Sequence, residues 1–189
     1  MKAAASPQTQ RPAVTKKAVT LVWLILFLGA TCTLAQAGSI RVYFSPNGGC
    51  TDAILSEINQ AKTEILLQAY AFTSTPIAQA LIRAQKRGVR ISAVLDKSNR
   101  RQKYSGATFL KNVGIPVFID DQHAIAHNKI MIIDNRVVIT GSFNFARAAE
   151  NKNAENLLIL DDLPDLTRAY QENFQNHLRH SVPYLGLEE

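Results

Sequence analysis

Between residues 40 and 95 short apolar runs alternate with amphipathic stretches, and this alternation constrains the fold more than any other feature of the chain. Residues 40–44 suit a strand, and residues 51–61 carry Ala53, Ile54, Ile58 and Ala61 at helical spacing. Residues 64–72 read as a buried strand, and Thr75-Pro76 starts a second helix that ends near Gly88. Residues 89–95 form another apolar strand. The β-α-β-α-β order predicts an α/β fold: a mixed, largely parallel β-sheet flanked by helices on both faces, with functional loops at the strand ends. Beyond it lie a short helix over 105–113, strands over 115–119 and 156–160, and a terminal amphipathic helix from about 163 to 179. With 189 residues, 47% of them hydrophobic, there is enough for one domain with a core and too little for two.

Residues 1–37 stand apart from this pattern. A basic segment with Lys2, Arg11, Lys16 and Lys17 precedes the apolar run AVTLVWLILFLGA and the A-x-A site Ala35-Gln36-Ala37. This is the form of a secretory signal peptide, so export to the periplasm or medium is expected, with residues 38–189 as the single mature domain. The alternative is an inner-membrane anchor, but the apolar run falls short of the roughly 20 residues of a spanning helix. Cleavage would remove Cys32 and leave Cys50 without a disulfide partner, as a small residue near a helix start.

The net charge of +6 overstates the case for a polyanionic partner. The leader holds four of the 21 basic residues and no acid, so 17 face all 15 acidic residues from Gly38 onward. Local density matters more. The loop DKSNRRQKY after the strand over 89–95 holds Lys97, Arg100, Arg101 and Lys103, which are candidates for contact with an anionic substrate.

The chemistry gathers in AHNKIMIIDNRVVITGSFNF, residues 126–145. Apolar runs over 130–133 and 137–139 flank Asp134-Asn135-Arg136, which gives strand, tight turn, strand. His127 and Lys129 share a face at one end, where the second strand exits through Thr140-Gly141-Ser142 toward a helix expected to open at Asn144. Histidine serves as nucleophile or general acid/base, lysine and asparagine hold non-bridging oxygens, and the Ser142 hydroxyl adds a donor. Glu155, at the mouth of the next strand, is placed to orient an imidazole. Such a set suits attack on an anionic phosphorus centre. In-line displacement also needs an acid opposite the nucleophile, and the cluster has no second copy in the chain, so a two-fold homodimer presenting two His127 residues is expected.

The pattern His127-x-Lys129-x4-Asp134-x6-Gly141-Ser142-x-Asn144 resembles the HKD motif of the phospholipase D superfamily at every fixed position. Length, leader, the single copy, and the segments ILLQAYAFTS and NAENLLIL resemble the small exported bacterial endonucleases of that superfamily. The resemblance implies a phospholipase D/nuclease-like fold and a phosphohistidine formed on His127. Lys129 and Asn144 would bind the phosphate oxygens, Ser142 would support them, and Glu155 would orient a histidine. Asp134 and Gly141 belong to the motif, Asp134 as a structural residue at the hairpin end away from His127.

The resemblance implies no metal and no cofactor. Asp120-Asp121 and Asp161-Asp162 are expected in loop turns and a helix cap, His123 and His127 lack further zinc ligands nearby, and His177 and His180 are expected on the solvated face of the terminal helix. Three functions follow: an endonuclease acting on DNA or RNA, favoured by the basic loop; a phospholipase D acting on phospholipid diesters; and a nucleic-acid-binding module without turnover.

Overall fold

The computed structural model describes residues 38–101 and 106–186; the leader, Lys103 and the side chain of Arg101 lie outside the described residues. The chain forms β1 (Ser39–Ser45), α1 (Cys50–Gln60), β2 (Glu64–Ala69), α2 (Thr75–Lys86), β3 (Arg90–Asp96) and a 3-10 turn over Lys97–Arg101. It continues with α3 (Gly106–Asn112), β4 (Val117–Asp120), β5 (Lys129–Ile133), β6 (Val137–Gly141), α4 (Arg147–Asn151), β7 (Glu155–Asp161), α5 (Pro164–His180) and β8 (Val182–Pro183). The eight strands make one mixed sheet in the order β1-β7-β6-β5-β2-β3-β4-β8.

Among the named strands parallel pairing is confined to β2–β3 and β3–β4, the segments joined by helices, and one isolated parallel bridge joins Phe72 to Phe145. The other five pairings are antiparallel, because the β5–β6 hairpin and the strands after it need no crossover. In the hairpin turn Asp134 (φ 53°) and Asn135 (φ 55°) are both left-handed, and Arg136 N–H donates to Ile133 O at 3.0 Å. This is the two-residue turn whose twist matches the strands, and Asp and Asn accept its positive φ more readily than most residues.

Strand alternation divides the buried residues between two faces. On one, Ile65, Leu67, Leu95, Met131, Ile133, Ile139, Leu157 and Ile159 pack against Ile54 and Ile58 of α1, Ile77 and Leu81 of α2, and Leu110 of α3. On the other, Leu66, Val94, Ile130, Ile132, Val138 and Leu160 are covered by Phe174 of α5, with Tyr170 and Leu178 packed beside it. At 1.5 Å per residue the 17 residues of α5 span about 25 Å, less than the roughly 34 Å across eight strands. α5 packs over β3 to β6, and on β1 Ile40, Val42 and Phe44 stay 63%, 53% and 63% exposed in a row. No helix among the described residues is long and apolar enough to cross a membrane.

Long-range polar contacts fix the helices. α1 begins at Cys50 behind Gly49, and its first amides are held by Glu150 of α4, which accepts from Gly49 N (3.3 Å) and Thr51 N (2.7 Å). Cys50 is fully buried, and burial pushes its thiol up to about 11, so it is inert packing.

Candidate active site

The β5–β6 hairpin sets the geometry. β5 pairs with β2 so that Lys129 faces Ala69, and the Tyr70 amide donates to Asn128 O at 2.9 Å, which fixes the segment entering β5. His127 therefore stands at the end of the sheet, exposed, with its ring 4.7 Å from that of Tyr70. Its imidazole has no hydrogen-bond partner among the described residues.

Lys129 is 6% exposed and donates from Nζ to His127 O at 2.7 Å, with Nζ 5.1 Å from the Tyr70 ring centroid. Burial pushes its pKa below the usual lysine range, and the negative charge of Glu155 opposes that shift. The Glu155 carboxylate accepts from Asn153 Nδ2 at 3.0 Å, and no hydrogen bond joins it to His127 among the described residues. Its effect in this arrangement falls on Lys129.

The exit from β6 is shaped by Gly141 (φ 142°), where a Cβ would lie 2.3 Å from Asn156 O. That close approach lets Ser142 N and Phe143 N both donate to Asn156 O at 3.1 Å, while Ser142 Oγ accepts from Asn156 N at 3.0 Å. Phe143 and Phe145 are buried in the core and act as alternate anchors, between which Asn144 sits. Asn144 does not open a helix: α4 is capped at Ala146, whose amide donates to Asn144 O at 2.7 Å. Its Oδ1 is buried with no hydrogen-bond partner among the described residues, a polar atom left for another group to satisfy.

Asp134 lies at the opposite end of β5. Its carboxylate accepts from Lys62 N, Thr63 N, Thr63 Oγ1 and Glu64 N at 2.8, 2.7, 2.9 and 3.1 Å, tying the hairpin turn to the α1–β2 connection. Burial pushes its pKa up, but these donors outweigh it and hold the carboxyl below its ordinary range.

In the basic loop, Lys97 Nζ donates to His123 O at 2.9 Å and Arg100 pairs with Asp121 at 3.2 Å. Both side chains line a groove with Tyr70, Asp96, Ser98, Asp121, Ala124 and Ile125, so the groove carries two basic and two acidic residues and adjoins the Tyr70–His127 contact.

One expectation fails on the far side of this loop: His177 and His180 are not on a solvated face but meet the buried carboxylate of Asp120, which opens the turn after β4. Asp120, 0% exposed at the end of β4, meets His177 Nδ1 at 2.6 Å, His123 Nδ1 at 3.1 Å and His180 Nε2 at 3.3 Å. Helical spacing sets the two histidines of α5 on one side, and the turn after β4 brings His123 back to meet them. Two i, i+3 pairs, Asp120/His123 and His177/His180, were the available signal; their meeting depends on α5 crossing the sheet.

The chain matches the family described as "Cardiolipin synthase, PLD-like domain" over residues 54–178. Phospholipase D of Rickettsia conorii is 46% identical over 137 residues, covering 72% of this chain and 68% of that protein. Mitochondrial cardiolipin hydrolase of Xenopus laevis is 31% identical over 122 residues, 65% of this chain and 58% of that protein. The crystal structure of a phospholipase D family member, Nuc from Salmonella typhimurium, superposes with a TM-score of 0.75 at 38% identity, covering 78% of this chain and 99% of that one. With the HKD spacing realised on one hairpin and relatives matched across most of the folded domain, the chain belongs to the phospholipase D superfamily of phosphodiesterases.

Proposed function

We propose that the protein is a metal-independent endonuclease that hydrolyses DNA, with RNA as the alternative nucleic-acid substrate, at a site shared by two copies of the chain. The observation that carries the reading is His127: an exposed imidazole with no hydrogen bond among the described residues, beside buried Lys129 and near a groove lined by Lys97 and Arg100. A nitrogen of His127 attacks phosphorus, forming a P–N bond while the P–O bond to the leaving sugar oxygen breaks. His127 of the partner subunit gives that oxygen its proton. It then takes a proton from water, whose oxygen attacks phosphorus as the P–N bond breaks. Lys129 and Asn144 hold the non-bridging oxygens.

The second copy is supported by the exposed row Ile40, Val42 and Phe44. It lies beside β7, with Phe44 opposite Asn156, the residue that holds Ser142, and Ser45 opposite Glu155. An apolar face reaching the catalytic end of the sheet suits an isologous contact that brings two sites together. The leader over residues 1–37 fits an exported enzyme.

A second reading, hydrolysis of phospholipid diesters, is favoured by the names of relatives: phospholipase D in Rickettsia conorii and mitochondrial cardiolipin hydrolase in Xenopus laevis. Purified protein incubated in EDTA with plasmid DNA, RNA, and phosphatidylcholine or cardiolipin vesicles separates the two. Nicked plasmid with intact vesicles is expected; the reverse overturns the nuclease reading. Mixing equal amounts of wild-type and His127→Ala chains tests the shared site. If both histidines are required, random pairing leaves about a quarter of the activity, whereas half the activity would refute sharing.

A further inference from the structure

A second constellation lies outside the phosphodiesterase site. Asp120 at the end of β4, His123 in the following turn, and His177 and His180 at the end of α5 offer four ligand atoms all within 4.8 Å of one another, and His127 is not among them. We propose that these four residues form a binding site for a divalent transition metal of the zinc class, which staples the C-terminal end of α5 to the loop that carries His127.

Three features support it. The donor set, three imidazoles and one carboxylate, suits zinc and its neighbours, whereas magnesium and calcium call for oxygen ligands. The imidazole nitrogens converge on one carboxylate at 2.6, 3.1 and 3.3 Å. A tetrahedral ion with bonds of about 2.0–2.1 Å separates its ligands by roughly 3.3 Å, so modest side-chain movements close the site. Finally, His180 Nε2 is buried and, although 3.3 Å from Asp120 Oδ2, makes no hydrogen bond of acceptable geometry among the described residues. A coordinated cation satisfies that nitrogen and balances the Asp120 charge at once.

One contact holds the Asp120 carboxylate, and two others brace the backbone that carries His123 and His177. Gln122 N donates to Asp120 Oδ1 at 3.2 Å, Lys97 Nζ to His123 O at 2.9 Å, and Ser181 Oγ to His177 O at 2.8 Å. His123 is 46% exposed and His180 35%, which gives an ion a path in, while Asp120 is fully buried. Asp120 and His177 are 57 residues apart, so the ion would join distant parts of the chain. His123 is four residues from His127, so the same clip steadies the catalytic loop without touching the phosphorus chemistry.

The test uses untagged, chelator-stripped protein titrated with zinc by calorimetry and with cobalt by visible spectroscopy. One ion per chain, the intense visible bands of tetrahedral cobalt, and a melting temperature raised by about 5–10 °C at hundredfold excess over Kd are expected. His180→Gln and, separately, His123→Gln should weaken binding by about 100-fold or more with unchanged far-UV circular dichroism. His127→Ala should bind as wild type. Zinc that binds below stoichiometry, binds both glutamine variants as tightly as wild type, or leaves the melting temperature unmoved overturns the proposal and leaves a cluster held by protons alone.

Discussion

Asp134 is part of the motif signature, yet the structure places its carboxylate at the far end of β5 from His127, among four donors from residues 62–64. Asp134→Ala removes every one of those acceptors. A hydrogen bond to a charged group contributes about 1.5–3 kcal/mol when buried, and the exposure of Lys62 and Thr63 lets water replace much of this, so a total near 2–3 kcal/mol is expected. Alanine at φ 53° adds about 1 kcal/mol of backbone strain. At about 2–4 °C per kcal/mol for a domain of this size, melting should fall by roughly 6–16 °C. Asp134→Asn keeps a residue suited to the left-handed turn and one acceptor, and should lose about half as much. The folded carboxyl has a depressed pKa, so its contribution is complete above the unfolded carboxylate pKa of about 3.9 and is lost as pH falls through the lower folded value. The gap between wild type and Asp134→Asn in urea melts should therefore be constant near neutrality and close in acid. Turnover of a small chromogenic phosphodiester, measured well below the melting range, should stay within about twofold. Turnover lost with stability unchanged would refute the assignment and make Asp134 part of the chemistry.

Gly141→Ala forces a Cβ against Asn156 O in a conformation that L-residues avoid; a loss of about 2–3 kcal/mol and a larger drop in turnover, as Ser142 shifts from Asn156, should appear together in melts and diester assays. Replacing Lys97, Arg100, Arg101 and Lys103 by alanine should weaken DNA binding and flatten its salt dependence while sparing a small diester; equal losses on both would indicate damage to the fold, since Lys97 also holds His123 O. Glu155→Gln removes the charge that opposes the burial-driven drop of Lys129, so its pKa falls further and the basic limb of the pH–rate profile should move to lower pH; an unmoved limb would show that Lys129 does not set it.

The alternation of apolar runs carried the class of fold and most element boundaries, because a strand buried on both sides and an amphipathic helix differ in period. β2, for example, reads EILLQA with five of six residues buried. The same reading overestimated parallel pairing: periodicity reports which face is buried, and the partner of β5 is chosen by hairpin geometry and sheet order. It also missed β8, whose two residues are too few for a periodic signal.

The site divides in the same way. The placement of His127, Lys129, Ser142 and Asn144 was legible because the register of one hairpin carries the start of β5 and the exit of β6 to the same end of the sheet. Tyr70 against His127, Glu150 across the start of α1, and the three histidines around Asp120 were not legible, because each joins elements distant in sequence. The sequence by itself determined the local chemistry of the β5–β6 hairpin, where the turn fixes the register and so which residues stand opposite one another. Tertiary structure alone decided that His177 and His180 leave solvent for a buried carboxylate: their helical period admits either surroundings, and only the crossing of α5 over β3 to β6 selects one.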